Sequence, residues 1–147
     1  MAGLSAVLSN ETQKFNVNDF SFYCKPYGVI ALEELYGTSQ SGSTCRESIN
    51  KLYTKKPFLK DYSAKHLKIK QRYHLEFRDK KCILYAKGEI SLSELLLKNG
   101  LALMRPHFKD KEFYYLFKKA ELEAKLNKLG MWNENIDTKC ITAIYKD

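Results

Sequence analysis

The stretch KHLKIKQRYHLEFR, residues 65–78, alternates side-chain character at nearly every position. Leu67, Ile69, Gln71, Tyr73, Leu75 and Phe77 fall on one side of an extended chain, and Lys68, Lys70, Arg72, His74, Glu76 and Arg78 on the other. A period of two over so long a run is the pattern of a β-strand with one buried face. The chain is therefore expected to build a sheet and to carry a cationic strand on its surface. That face is either a grip for a polyanion or ordinary solvated strand, and the run alone leaves both open.

The charge distribution bears on that choice. The formal net charge is +8, yet residues 1–50 carry three basic and five acidic groups, residues 51–87 twelve and three, and residues 88–147 ten and nine. The whole excess lies in the middle segment, where it raises the local potential and favours an anionic partner, nucleic acid or anionic lipid, or else serves solubility. A chain of 147 residues, 44% of them hydrophobic, suits one domain over residues 1–147 with a buried core. No run approaches the ~18 apolar residues of a membrane span, so no membrane insertion is expected, and MAGLSAVLSN lacks the basic start of a signal peptide.

Cys24, Cys45, Cys82 and Cys140 show neither paired thiol spacing nor the His spacing of a zinc site, and His66, His74 and His107 form no ligand set, so no metal and no cofactor are expected. Four thiols suit a reducing compartment and two disulfides an oxidising one, and the pairing is not readable. The chain is expected to be a domain, with a longer exported protein as one source. Asn10-Glu11-Thr12 matches a glycosylation sequon.

Along the chain, short strands are expected near Val7-Leu8, over Phe15–Val17 and from Phe20 to Ile30 with a break at Pro26; Asn18-Asp19 serves as a hairpin turn. YGTSQSGS is a loop. Thr44 and Glu47 then form a capping box for a helix whose apolar face is Cys45, Ile49, Leu52 and Tyr53. TKKPFLKDYSAK reads as a basic connector. After the opening strand come CILYA, the Lys87-Gly88 turn, a helix capped by Ser91 and Glu94, and a last helix from about Lys111 to Leu129 stopped by Gly130. Strands first and helices later argue an α+β fold, a five-stranded barrel of the OB type with three helices.

LYAKGEISLSELLLKNGLALMRP, followed by a long helix ending KLNKLGMWNE, resembles the end of a staphylococcal nuclease (thermonuclease) domain, with Trp132 and Glu134 at the terminal motif. The resemblance extends over the whole chain. It implies that Lys25 stands at the first catalytic arginine, Glu33 at the catalytic glutamate, Glu11 at one metal-binding aspartate and Ile30 at the other, with Ala31 and Leu32 in place of a threonine and a proline. The second arginine falls on Asp79, with Arg78 adjacent. Such a nuclease activates water with a carboxylate, polarises the phosphate with calcium and clamps the developing charge with two guanidinium groups. An isoleucine cannot ligate calcium, and a lysine lacks the bidentate fork.

These substitutions lead to a domain that binds DNA without cutting it. Its residual catalytic candidates are Glu33, Lys25 and Arg78, and its expected DNA contacts are Lys68, Lys70, Arg72, Arg78, Lys80, Lys81, Lys87, Arg105, His107 and Lys109. Lys55, Lys56 and Lys60 extend the patch, and Phe108 is either a base-stacking ring or a rim aromatic. The expected partner is DNA, double-stranded, together with proteins of a DNA-uptake machinery. On size and logic, without a motif, the setting is periplasmic: the DNA-binding domain of a ComH-type natural-transformation protein. The alternatives are a calcium-dependent nuclease with a rearranged site, and a protein-interaction scaffold.

Overall fold

The computed structural model describes residues 1–37 and 42–133. It is an α+β fold. β1 (Ala2–Val7), β2 (Gln13–Val17) and β3 (Phe20–Cys24) form a meander, with Val17 paired to Phe20 across the expected Asn18-Asp19 turn. β4 (Val29–Ala31) leads into a 3-10 turn, Leu32–Gly37, and three helices follow: α1 (Gly42–Lys55), α2 (Pro57–Lys60) and α3 (Tyr62–His66). Next come β5 (Arg72–Tyr73), β6 (Leu75–Arg78), β7 (Lys81–Lys87), β8 (Ile90–Ser91), α4 (Leu92–Lys98), β9 (Ala102–Met104) and α5 (Tyr114–Leu126), closed by a second 3-10 turn, Gly130–Trp132.

The strands pair as three sheets, in the orders β3-β2-β1-β5, β4-β9 and β6-β7-β8, rather than as the closed five-stranded barrel the sequence led us to expect. The described residues hold five α-helices instead of three, because the supposed connector is itself helical. Pro57 occupies the first position of α2, where its missing N–H costs nothing. Helix α1 begins at Gly42, two residues before Thr44. Helix α5 starts at Tyr114, a turn later than Lys111. The Ser91 cap is present, with its hydroxyl accepting from Glu94 N–H at 3.2 Å.

The long alternating strand is divided. Residues up to His66 belong to α3, and Lys70 adopts a left-handed conformation (φ 73°) in a turn that Gln71 N–H closes onto Lys68 O. β5 then pairs with β1, whereas β6 pairs with β7, so the chain changes sheets at His74. Leu67 and Tyr73 are buried, but Ile69 and Phe77 are 52% and 54% exposed, and the period of two fails at both.

Two ties hold the layers together. Cys24 and Cys82 form a disulfide between β3 and β7, closing a sequence separation of 58 residues, a constraint on the unfolded chain of about 4 kcal/mol. No free cysteine remains among the described residues; Cys140 lies outside them. Asn10 is fully buried, accepts from Ser63 N–H at 2.9 Å and donates to Leu59 O at 2.9 Å, fastening α2 and α3 to the β1–β2 loop. Its amide nitrogen is thus committed to the interior, and the sequon is not an accessible one. Asn10→Ala leaves the buried Ser63 N–H without its partner and removes a donor from Leu59 O; urea denaturation should show a loss of about 2 kcal/mol, and an unchanged midpoint would contradict the clamp.

Candidate nucleic-acid interface

The disulfide positions the site. Beside it, Cys82 N–H donates to Lys25 O at 2.8 Å and Tyr27 N–H donates to Cys82 O at 3.0 Å, which lays Lys25–Gly28 along β7. β4 pairs with β9, so the segment after β9 emerges at Gly28, whose carbonyl accepts from Arg105 N–H at 2.9 Å. Gly28 has φ +79°, and a Cβ there would lie 2.7 Å from the Phe108 ring and 2.9 Å from that of Phe117, so only glycine fits. A hollow of about 550 Å³ results, lined by Lys81, Arg105, His107, Phe108 and Lys109 among others.

Four of the ten expected contact residues thus converge, but two of them are already engaged. Arg105 Nη2 donates to both Glu34 oxygens at 2.9 Å and to Val29 O at 3.1 Å, and Lys81 lies 3.9 Å from the same carboxylate. Arg78 is held by three carboxylates: Asp110 and Glu112 at 2.7 Å each and Glu76 at 2.9 Å, with its guanidinium over the Phe113 ring. Hydrogen bonds from Arg78 to these groups, Glu112 first, hold the guanidinium charged even more firmly than usual. Burial pushes the Asp110 carboxyl up, but its bonds from Tyr27 and Arg78 outweigh that and hold it below the ordinary range. Burial and the bond to Asp110 push the Tyr27 phenol up to about 12.

The remaining expected cations lie elsewhere. Lys80 is exposed in the two-residue turn between β6 and β7, where Asp79 and Lys80 both have positive φ (50° and 64°), and Asp79 tolerates that conformation. Lys87 is at the other end of β7, about 20 Å from Lys81 at strand rise. Lys68, Lys70 and Arg72 are exposed around the turn docked on β1 by Lys70 N–H to Leu4 O. Glu34, Asp110, Glu112 and Tyr27 were absent from the expected site, since nothing in their local sequence signals partners 32 to 83 residues away.

Glu33 sits on the first 3-10 turn and lines a separate groove of about 430 Å³. Tyr53 O–H donates to it at 2.6 Å, and its second oxygen is buried without a partner. Burial pushes its carboxyl up, opposed by the Tyr53 bond and reinforced by the charge of Glu11. Lys25 is 3.7 Å from Glu11. The calcium implied by the resemblance does not fit here: Ile30 is buried and offers no oxygen, Glu11 is paired with a lysine, and among the described residues no group of three or more His, Cys, Asp or Glu is placed to hold a metal.

The staphylococcal nuclease homologue family matches residues 4–134, and the chain belongs to that family. Compared with curated proteins, it matches none. The family is one of nucleases and nucleic-acid binders, and no helix of the described residues is long and apolar enough to cross a membrane.

Because the Glu33 carboxyl is raised, the folded state binds its proton more tightly than the unfolded chain does. Its contribution to stability is full below the ordinary carboxylate range and is lost as pH rises through the raised value. Glu33→Gln, which stays neutral, should therefore exceed wild type in urea resistance at pH 8 and match it near pH 4. A variant weaker than wild type at pH 8 would contradict this.

Proposed function

We propose that this domain holds DNA by its phosphates, with little sequence preference and without hydrolysing it. The observation that carries the reading is a division among the cations. Most of the cations around the nuclease-like cleft are paired within the chain, Lys25 with Glu11, Arg78 with three carboxylates, and Lys81 and Arg105 with the one carboxylate of Glu34, while Lys109 stands exposed at the edge of the hollow. Lys68, Lys70 and Arg72 are exposed and make no ion pair among the described residues. A guanidinium saturated by carboxylates cannot clamp a transition state, while a free ammonium on the surface still releases counterions when it meets a phosphate.

The Cys24–Cys82 disulfide favours an oxidising compartment. A receptor that carries incoming DNA through the periplasm during natural transformation must hold the polymer and leave it intact, and a cleft with no place for calcium meets that need. A second reading, a protein-interaction module, draws on Tyr115 and Leu126, each 80% exposed, with Leu122 at 47%, on α5.

Retardation of a duplex should fall steeply with salt. Replacing Lys68, Lys70 and Arg72 together by alanine should lower the slope of log affinity against log salt by about 2.7, at ~0.9 for each phosphate no longer neutralised. A slope untouched by the triple substitution would remove these residues from the DNA-binding surface.

A further inference from the structure

We infer that DNA lies across the exposed basic surface of residues 51–72, over the groove between α1 and the α2–α3 segment, rather than in the hollow beside Arg105. This rests on the reading of the domain as a DNA holder and fixes where the polymer sits. Residues 51–72 contain eight basic groups and one acidic group, Asp61. Five of these cations, Lys51, Lys55, Lys56, Lys60 and Lys65, belong to helices or their caps.

The groove has walls from both sides. Arg46, Asn50 and Tyr53 come from α1, Lys60 and Ala64 from α2 and α3, and Glu33 and Asp61 lie among the lining groups. Asn50 also borders a second hollow on α1, lined by Lys51 and Lys55 together with Glu47 and Thr54. Lys51, Lys60 and Lys65 are exposed and make no ion pair among the described residues, as are Lys68, Lys70 and Arg72 beyond them. Phe58, 54% exposed between Lys56 and Lys60, adds an aromatic ring to the same segment. Cations flanking an exposed aromatic ring suit a polyanion that carries π-faces, which is a nucleic acid.

The platform is also held in place. Asn10 fastens Leu59 and Ser63, Tyr73 Oη accepts from Lys68 N–H at 2.9 Å, and Leu4 bonds the backbone at Lys70 and Gln71. Little ordering is required when a partner arrives. The cleft around Arg78 and Arg105 differs in kind, because a phosphate there would first have to displace carboxylates at 2.7 to 2.9 Å.

The test compares two sets of variants of the whole chain in a salt titration of duplex binding. Replacing Lys51, Lys60 and Lys65 together by alanine should weaken binding about tenfold or more in low salt and cut the salt slope by about 2.7, while replacing all three by arginine should keep both. Replacing His107 and Lys109 by alanine should leave affinity within about twofold. Loss of affinity in the His107 and Lys109 variant, with the triple alanine variant binding as wild type, would overturn the placement and leave the DNA-holding reading standing. A wild-type protein that retards no duplex at low salt would overturn both. The arginine variant separates a missing charge from a damaged fold.

Discussion

The junction at Cys24 and Cys82 is the constraint on which the rest of the site depends. β3 ends there, and the disulfide with its two flanking backbone hydrogen bonds holds Lys25–Gly28 against β7. That placement aims Tyr27 at Asp110 and presents the Gly28 carbonyl to Arg105. It also brings the Gly28 backbone against the rings of Phe108 and Phe117, where no side chain could intervene. One covalent link thus joins the meander of β1–β3 to the β6–β7 hairpin and, through them, to the segment that precedes α5.

The proposed loss of cleavage turns on the allocation of charge. A cleaving site needs carboxylates free for metal and guanidinium groups free for phosphate. Here carboxylates and cations satisfy one another, in the pairs Lys25 with Glu11 and Arg105 with Glu34 and in the cluster around Arg78. Such partly exposed pairs contribute little stability individually, but the Arg78 cluster is geometrically demanding and joins β6 to the residues before α5. Lys51, Lys60 and Lys65, with Lys68, Lys70 and Arg72, are among the exposed cations that make no ion pair among the described residues, and they lie on the helices after the 3-10 turn and on the turn leading into β5. On the proposed reading, the surface that receives an anion lies on those helices and that turn rather than in the cleft.

Local chemistry was legible in the sequence. The Asn18-Asp19 hairpin, the Ser91 cap and the ordered resemblance to the nuclease family all reflect preferences that act over a few residues or a shared order of motifs. The alternation over residues 65–78 misled because tertiary bonds override it: Leu4 captures the backbone at Lys70, and β1 and β7 claim different halves of the strand. The helices in TKKPFLKDYSAK were hidden by Pro57, a breaker inside a helix but a starter at its first turn. Asp110 and Glu112 as partners of Arg78 could not be read, since the pairing spans more than thirty residues and exists only once β6 and the residues before α5 are packed.

The claim that this domain holds DNA and leaves it whole is tested most directly by the fluorescence anisotropy of a labelled duplex, followed for hours at low salt with calcium present. The account predicts a rise on adding protein and a steady plateau, the same in calcium as in chelator. A signal that rises and then decays in calcium alone, as fragments are released, would contradict it.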